Sequence, residues 1–161
     1  MTRLIFPGAA LLLILASGCG HRRPSDSDLF NQPAAIAASK LPFNPLSWKI
    51  ITSSIDTQRH TMSALLGNDL AIRSARAGHP GYPDGAVLSL VTWSQREDPH
   101  WFGGRIPDGV QTIEFVMVGG KDAGTSYQRY EGPQLQPARP DAQFASARRD
   151  AILAERAAVM P

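Results

Sequence analysis

The sequence contains a single cysteine, Cys19, among 161 residues. That scarcity excludes an intrachain disulfide and any multi-thiolate metal site, so a folded domain in an oxidising compartment has to be held by its hydrophobic core. The usual catalytic signatures are missing as well: there is no G-x-S-x-G, no H-E-x-x-H and no phosphate-binding loop. The four histidines, His21, His60, His79 and His100, are scattered and make no metal-ligand spacing with carboxylates. No excess of one charge exists either. Lys and Arg number 16 against 14 Asp and Glu, which gives no support to nucleic acid or polyanion binding. No apolar run reaches the roughly 20 residues that cross a bilayer, since the run from Leu4 to Leu15 is broken by Pro7 and Gly8. No internal repeat at solenoid periods is present.

What the N-terminus does have is the pattern of an export signal. Arg3 provides a positive start, Leu4 to Leu15 are nearly all apolar, and Ala16, Ser17 and Gly18 are small. Small residues directly before Cys19 have the form of a bacterial lipobox, in which cleavage precedes the cysteine and its thiol and new amino group are acylated. The sequence thus predicts a signal peptide over 1–18, a lipidated Cys19 carrying palmitate-type chains, a polar tether to residue 32, and a domain from 33 to 161. Two or more acyl chains hold a protein on a membrane almost permanently. Gly20, in place of the Asp that marks inner-membrane retention, favours the periplasmic face of the outer membrane. An ordinary signal peptide with an incidental cysteine is the alternative. The 143 residues left after cleavage suffice for one domain with a useful core.

Along that domain, Pro33 followed by AAIAASK reads as a short helix stopped by Pro42. SWKIITSSI and TMSALL read as strands joined by a turn at DTQRH, and the second ends at Gly67. Asp69 reads as the N-cap of a helix over LAIRSARA that Gly78 closes. After the loop HPGYPDG, AVLSLVTW (Ala86 to Trp93) reads as a strand, SQREDPHWFGGRIPDG as a loop, and VQTIEFVMV (Val110 to Val118) as a further strand. In that last strand, alternation puts Ile113, Phe115 and Met117 on one face and Val110, Thr112, Glu114, Val116 and Val118 on the other, both apolar enough to be covered. GGKDAG turns the chain, TSYQRYE adds a short strand, and GPQLQPARP is extended. Asp141 caps a final helix whose Phe144, Ala147, Ala151, Ala154 and Ala158 make a narrow stripe for close packing. Antiparallel strands with helices at both ends predict an α+β domain.

Glu114 is the most pointed feature, because a carboxylate in a strand covered on both faces needs a partner or a raised pKa. Exposure, or pairing with Arg105 or Arg129, is the plainer reading. Trp48, Trp93 and Trp101 divide between core packing and lining a cavity. Glu114, Phe115, Trp93 and Trp101 are the candidate pocket residues. No catalytic residue or metal ligand is assigned. Arg73 and Arg76 read as a solvated helix face.

Taken in order, the GND at Gly67, the ARAG at Ala75 to Gly78, the YPDGAVL run into Trp93, the DPHW loop and the EFVM strand resemble the cytochrome P-460 family, which includes the cytochromes c′-beta. The similarity covers about residues 48 to 130. It implies a mostly antiparallel β-sheet with flanking helices, a periplasmic homodimer, and in typical members haem c bound through a C-terminal C-x-x-C-H for hydroxylamine oxidation or nitric oxide binding. Here the corresponding region, about Arg148 to Ile152, has neither cysteine nor histidine, so the comparison excludes covalent haem c and assigns no cofactor. The strand lysine that P-460 members link to porphyrin is missing between Arg59 and Leu66. Glu114 falls where the family's carboxylate can face the distal side of haem.

The expectation is therefore a lipid-anchored homodimer whose domain has lost covalent haem and works as a non-catalytic accessory module, with a small-molecule ligand as a possible partner. A noncovalent haem protein acting on nitric oxide or hydroxylamine through His60, His79 or His100 is the rival. A purely structural envelope protein is the third reading.

Overall fold

Between Lys49 and Ala138 the chain is rich in β-branched and aromatic residues broken by glycine and polar turns, a composition that suits consecutive antiparallel strands. The computed structural model describes residues 25, 29–78, 80–119 and 124–158. The segment through Phe30 forms one compact unit and the segment from Asn31 onward another. In the first, the Leu29 amide donates to the Ser25 carbonyl. The proposed signal peptide, Cys19, His21, most of the tether and His79 lie outside the described residues. No helix among the described residues is long and apolar enough to cross a membrane.

The second unit is one six-stranded antiparallel sheet in sequential order. Its strands are β1 (Lys49–Asp56), β2 (Thr61–Gly67), β3 (Val87–Glu97), β4 (Arg105–Val118), β5 (Thr125–Glu131) and β6 (Gln136–Ala138). Helix α1 (Asp69–Arg76) joins β2 to β3, and α2 (Ala142–Ala154) follows β6. The α+β class expected from the sequence is the one observed.

Both faces of the sheet are covered. On one, Leu65, Leu88 and Val116 pack with Ala71 and Ile72 of α1 and Ile152 of α2. On the other, Val91, Trp93, Ile113 and Phe115 pack against Ala34, Ile36, Leu41, Phe43 and Trp48 from the segment that precedes β1. The Trp93 indole N–H donates to the Ala34 carbonyl at 3.0 Å, which ties this segment to the sheet.

Several local expectations change. The segment after Pro33 forms two single 3₁₀ turns, Gln32–Ala34 and Ala38–Lys40, instead of a helix. Its apolar residues reach the sheet from a largely extended chain, and burial there outweighs the weak helical preference of so short a run. Asn68, and not Asp69, caps α1, its side chain accepting from the Ala71 amide at 3.0 Å. Gly78 does take the left-handed conformation, at φ +68. Strands β3 and β4 extend beyond Trp93 and start before Val110, pairing Gln95 with Pro107, Arg96 with Ile106 and Glu97 with Arg105. Most of the expected loop there is thus hairpin.

A register shift beside Trp93 opposes it to Val110 while Thr92 opposes Thr112. The extra residue, Gln111, turns Val110 onto the Phe115 face, against the simple alternation. The small-residue stripe of α2 faces outward: Phe144, Ala147, Ala151, Ala154 and Ala158 are all exposed, and the helix ends at Ala154. Ala145, Arg148, Arg149 and Ile152 form its inner side, because Arg148 finds a buried carboxylate and Ile152 an apolar socket.

Candidate functional site

Alternation along β4 sends Phe115 and Glu114 to opposite faces. Phe115 joins an aromatic group with Phe43, Trp48 and Tyr130, at centroid distances of 5.9, 6.4 and 6.0 Å. Trp93 lies on that face too. Glu114 lies on the helical face with only 1% of its surface exposed. Trp101 is 75% exposed in the β3–β4 loop. The four pocket residues expected from the sequence therefore do not converge: Trp93 and Phe115 share a packed core, Glu114 is across the sheet, and Trp101 is at the rim.

Glu114 instead has a set of partners of its own. Arg148, projecting inward from α2, grips it in a two-pronged bond, Nε to Oε1 at 3.0 Å and Nη2 to Oε2 at 2.7 Å. The Tyr127 hydroxyl donates to Oε1 at 2.5 Å. Arg129, directly opposite Glu114 in the β4–β5 ladder, brings Nη1 to within 3.3 Å of Oε1. Arg129 also donates to Glu131 at 2.5 Å and lies over the Phe144 ring, 5.4 Å from its centroid. Two guanidinium groups and two carboxylates make the cluster neutral.

Burial alone would raise the Glu114 pKa. The Arg148 and Tyr127 hydrogen bonds and the charges of Arg148 and Arg129 more than offset it, so the group stays ionised below the usual carboxylate range. Burial, reinforced by Glu114, pushes the Tyr127 phenol up to about 12. Arg148 is held protonated chiefly by its hydrogen bond to Glu114. Such a carboxylate is a poor proton acceptor, and every hydrogen bond it accepts comes from a group that keeps its own proton.

Of the two arginines anticipated as partners, Arg129 is one and Arg105 is not; Arg105 lies 3.7 Å from Glu97 at the rim. Sequence reasoning missed Arg148 and Tyr127. The signal for Arg148 was its position four residues before Ile152 on one helical stripe. For Tyr127 it was the two-residue spacing from Arg129 in TSYQRYE.

Elsewhere the surface is shallowly grooved. A groove of about 550 Å³ is lined by Leu70, Arg73, Ser74 and Tyr82 among others. Another, of about 370 Å³, is lined by Arg129 and Glu131, at the outer edge of the Glu114 cluster, with Arg139, Pro140 and Phe144, while Glu114 itself is not part of its lining. His60 borders a third, of about 390 Å³, with Ile55, Met62 and Gln95. The His60 carbonyl accepts from the Gln95 amide, five positions along β3 from the Leu90 that pairs with Glu114, or roughly 16 Å. Among the described residues no three His, Cys, Asp or Glu side chains group as metal ligands.

A covered antiparallel meander with a terminal helix placed over a strand glutamate is an α+β domain. The Cytochrome P460 family profile matches residues 46–145, and the chain belongs to that family. No curated protein matches it. The family usually holds haem, and the donors on α2 do not fit covalent attachment: the residues of Ala142–Ala154 offer Arg148 and Arg149 but neither thiol nor imidazole.

Proposed function

We propose that this chain is a lipid-anchored, haem-free member of the cytochrome P460 family that acts as a non-catalytic accessory module on the periplasmic face of a bacterial membrane. The observation that carries the reading is the two-pronged Glu114–Arg148 pair. A strand carboxylate that in the family can face haem is here neutralised by an arginine from the terminal helix, and its remaining acceptor capacity is used by Tyr127 and Arg129. Filling that position with the protein's own charges removes both the vacancy and the free base a reactive site needs. The lipid anchor rests on the Ala16-Ser17-Gly18-Cys19 sequence and the outer-membrane location on Gly20. A small ligand, if one is carried, fits the open surface grooves better than the Glu114 cluster, and the homodimer is part of this reading as what the resemblance to the family implies.

Noncovalent haem binding through His60, His79 or His100 is the competing reading, and a haemin titration separates the two. The full chain, and variants with His60→Ala, His79→Ala and His100→Ala, are expected to give the same featureless titration. Stoichiometric uptake by the wild type that one of these variants abolishes would establish the competitor instead.

A further inference from the structure

The end of the sheet where β1–β2 and β3–β4 turn carries an unusual concentration of exposed apolar surface. Trp101 and Phe102 sit side by side at the β3–β4 tip with 75% and 104% of their surface exposed, and Ile55 of the neighbouring β1 end is 62% exposed. A groove of about 390 Å³, bordered by Ile55, Met62, His60, Gly103 and Arg105, connects the two turns.

The tip is built, not loose. Asp98 donates its amide to the Gly104 carbonyl at 3.0 Å, and the Gly104 amide closes onto the Trp101 carbonyl at 2.9 Å. The Asp98 carboxylate accepts from the His100 amide at 2.8 Å. Gly103 takes φ +74, which side chains disfavour, and a Cβ on Gly104 would come within 3.0 Å of the Trp101 carbonyl oxygen. A loop fixed in this way holds two adjacent aromatic rings with none of the described residues folded over them. Aromatic pairs of that kind lie comfortably at the boundary between lipid headgroups and acyl chains.

The same end receives the chain from the N-terminus. The second unit begins at Asn31. Its side-chain amide donates to the Pro107 carbonyl at 2.6 Å and its oxygen accepts from Arg96 at 3.1 Å. Arg96 pairs with Ile106, and one ladder step further the strands end at Glu97 and Arg105, where the loop begins. The 30 residues that lead to Asn31, Cys19 among them, are thus joined covalently at the base of the aromatic hairpin.

From this juxtaposition we propose that the Trp101–Phe102 tip is a second, non-covalent membrane contact that inserts into the lipid interface and orients the domain against the bilayer to which its N-terminus tethers it. The inference rests on the anchored reading above for its setting. A short attachment raises the local concentration of the tip at the surface, so even a weak insertion is populated.

The test uses the acylated full chain in vesicles of phosphatidylethanolamine and phosphatidylglycerol, with a share of the lipid brominated near the top of the acyl chain. Bromine is expected to quench the tryptophan emission, and Trp101→Tyr to remove that quenching while circular dichroism stays unchanged. An unquenched wild type, or equal quenching in the variant, overturns the proposal. So does a dimer, seen by sedimentation, that Trp101→Glu dissociates, because the tip would then be occupied by a second copy. Flotation of Cys19→Ser reports separately on the anchor. Loss of flotation with no quenching in the wild type removes the tip and keeps the anchor; undiminished flotation of Cys19→Ser removes the anchor.

Discussion

A carboxylate with 1% exposure survives in this fold because four hydrogen-bonding or charged contacts reach its two oxygens. Removing one partner from a buried ion pair generally costs about 3–5 kcal/mol. Arg148 is itself 35% exposed, and Arg129 and Tyr127 would remain. Arg148→Ala should therefore lower the unfolding free energy by about 2–3 kcal/mol, measured by urea denaturation. The double replacement Glu114→Leu with Arg148→Met should recover most of that loss, since it leaves no orphaned charge. Acid sensitivity follows from the direction of the Glu114 shift. The folded value lies below the unfolded one, so in acid the unfolded chain binds more protons. The stabilisation is complete above about pH 5 and is lost as pH falls through the lowered value. Stability of Glu114→Gln should accordingly decline less steeply in that range. Tyr127 has the opposite sign: its contribution is present below about pH 10 and fades as pH rises toward its raised value of about 12. A phenolate absorbance step near that pH should disappear in Tyr127→Phe.

At the level of elements, the meander was readable because each strand carries its own pattern and each connection its own breaker. TMSALL ends at a glycine, and that glycine has a further reason to be there. A Cβ on Gly67 would lie 2.7 Å from the Ala71 Cβ and 2.9 Å from Ile51 Cδ1, where α1 packs down on β1 and β2. Gly67→Ala should cost about 1–3 kcal/mol, read as a lower thermal midpoint. The errors arose where long-range contacts outweigh local pattern. Val110 changed face through one inserted residue, which alternation cannot register. The alanine stripe of α2 resembled a packing face, yet the helix is seated by Ile152 and by an ion pair to a strand 34 residues earlier in sequence. The run after Pro33 lies on the sheet because Ile36, Leu41 and Phe43 find the Phe115 core there. Glu114 was recognisable as a buried carboxylate in search of a partner, but its main partner was not, since nothing in the linear sequence says which side of a distant helix will meet the strand.

For the molecule as a whole, the chain belongs to the cytochrome P460 family, and the proposal of a scaffold kept without covalent haem rests on the Arg148–Glu114 closure and on an α2 with neither cysteine nor histidine. The aromatic core of Phe43, Trp48, Phe115 and Tyr130 on one face and the helices on the other cover the sheet with the protein's own side chains. A fold completed in this way should unfold cooperatively without haem, with coincident fluorescence and circular dichroism transitions. The most direct measurement is the absorption and pyridine haemochrome spectrum of the full chain purified from a host competent in c-type cytochrome maturation. The account predicts a folded, colourless protein with neither a Soret band nor a haemochrome. A stoichiometric haemochrome signal in the folded protein would contradict it.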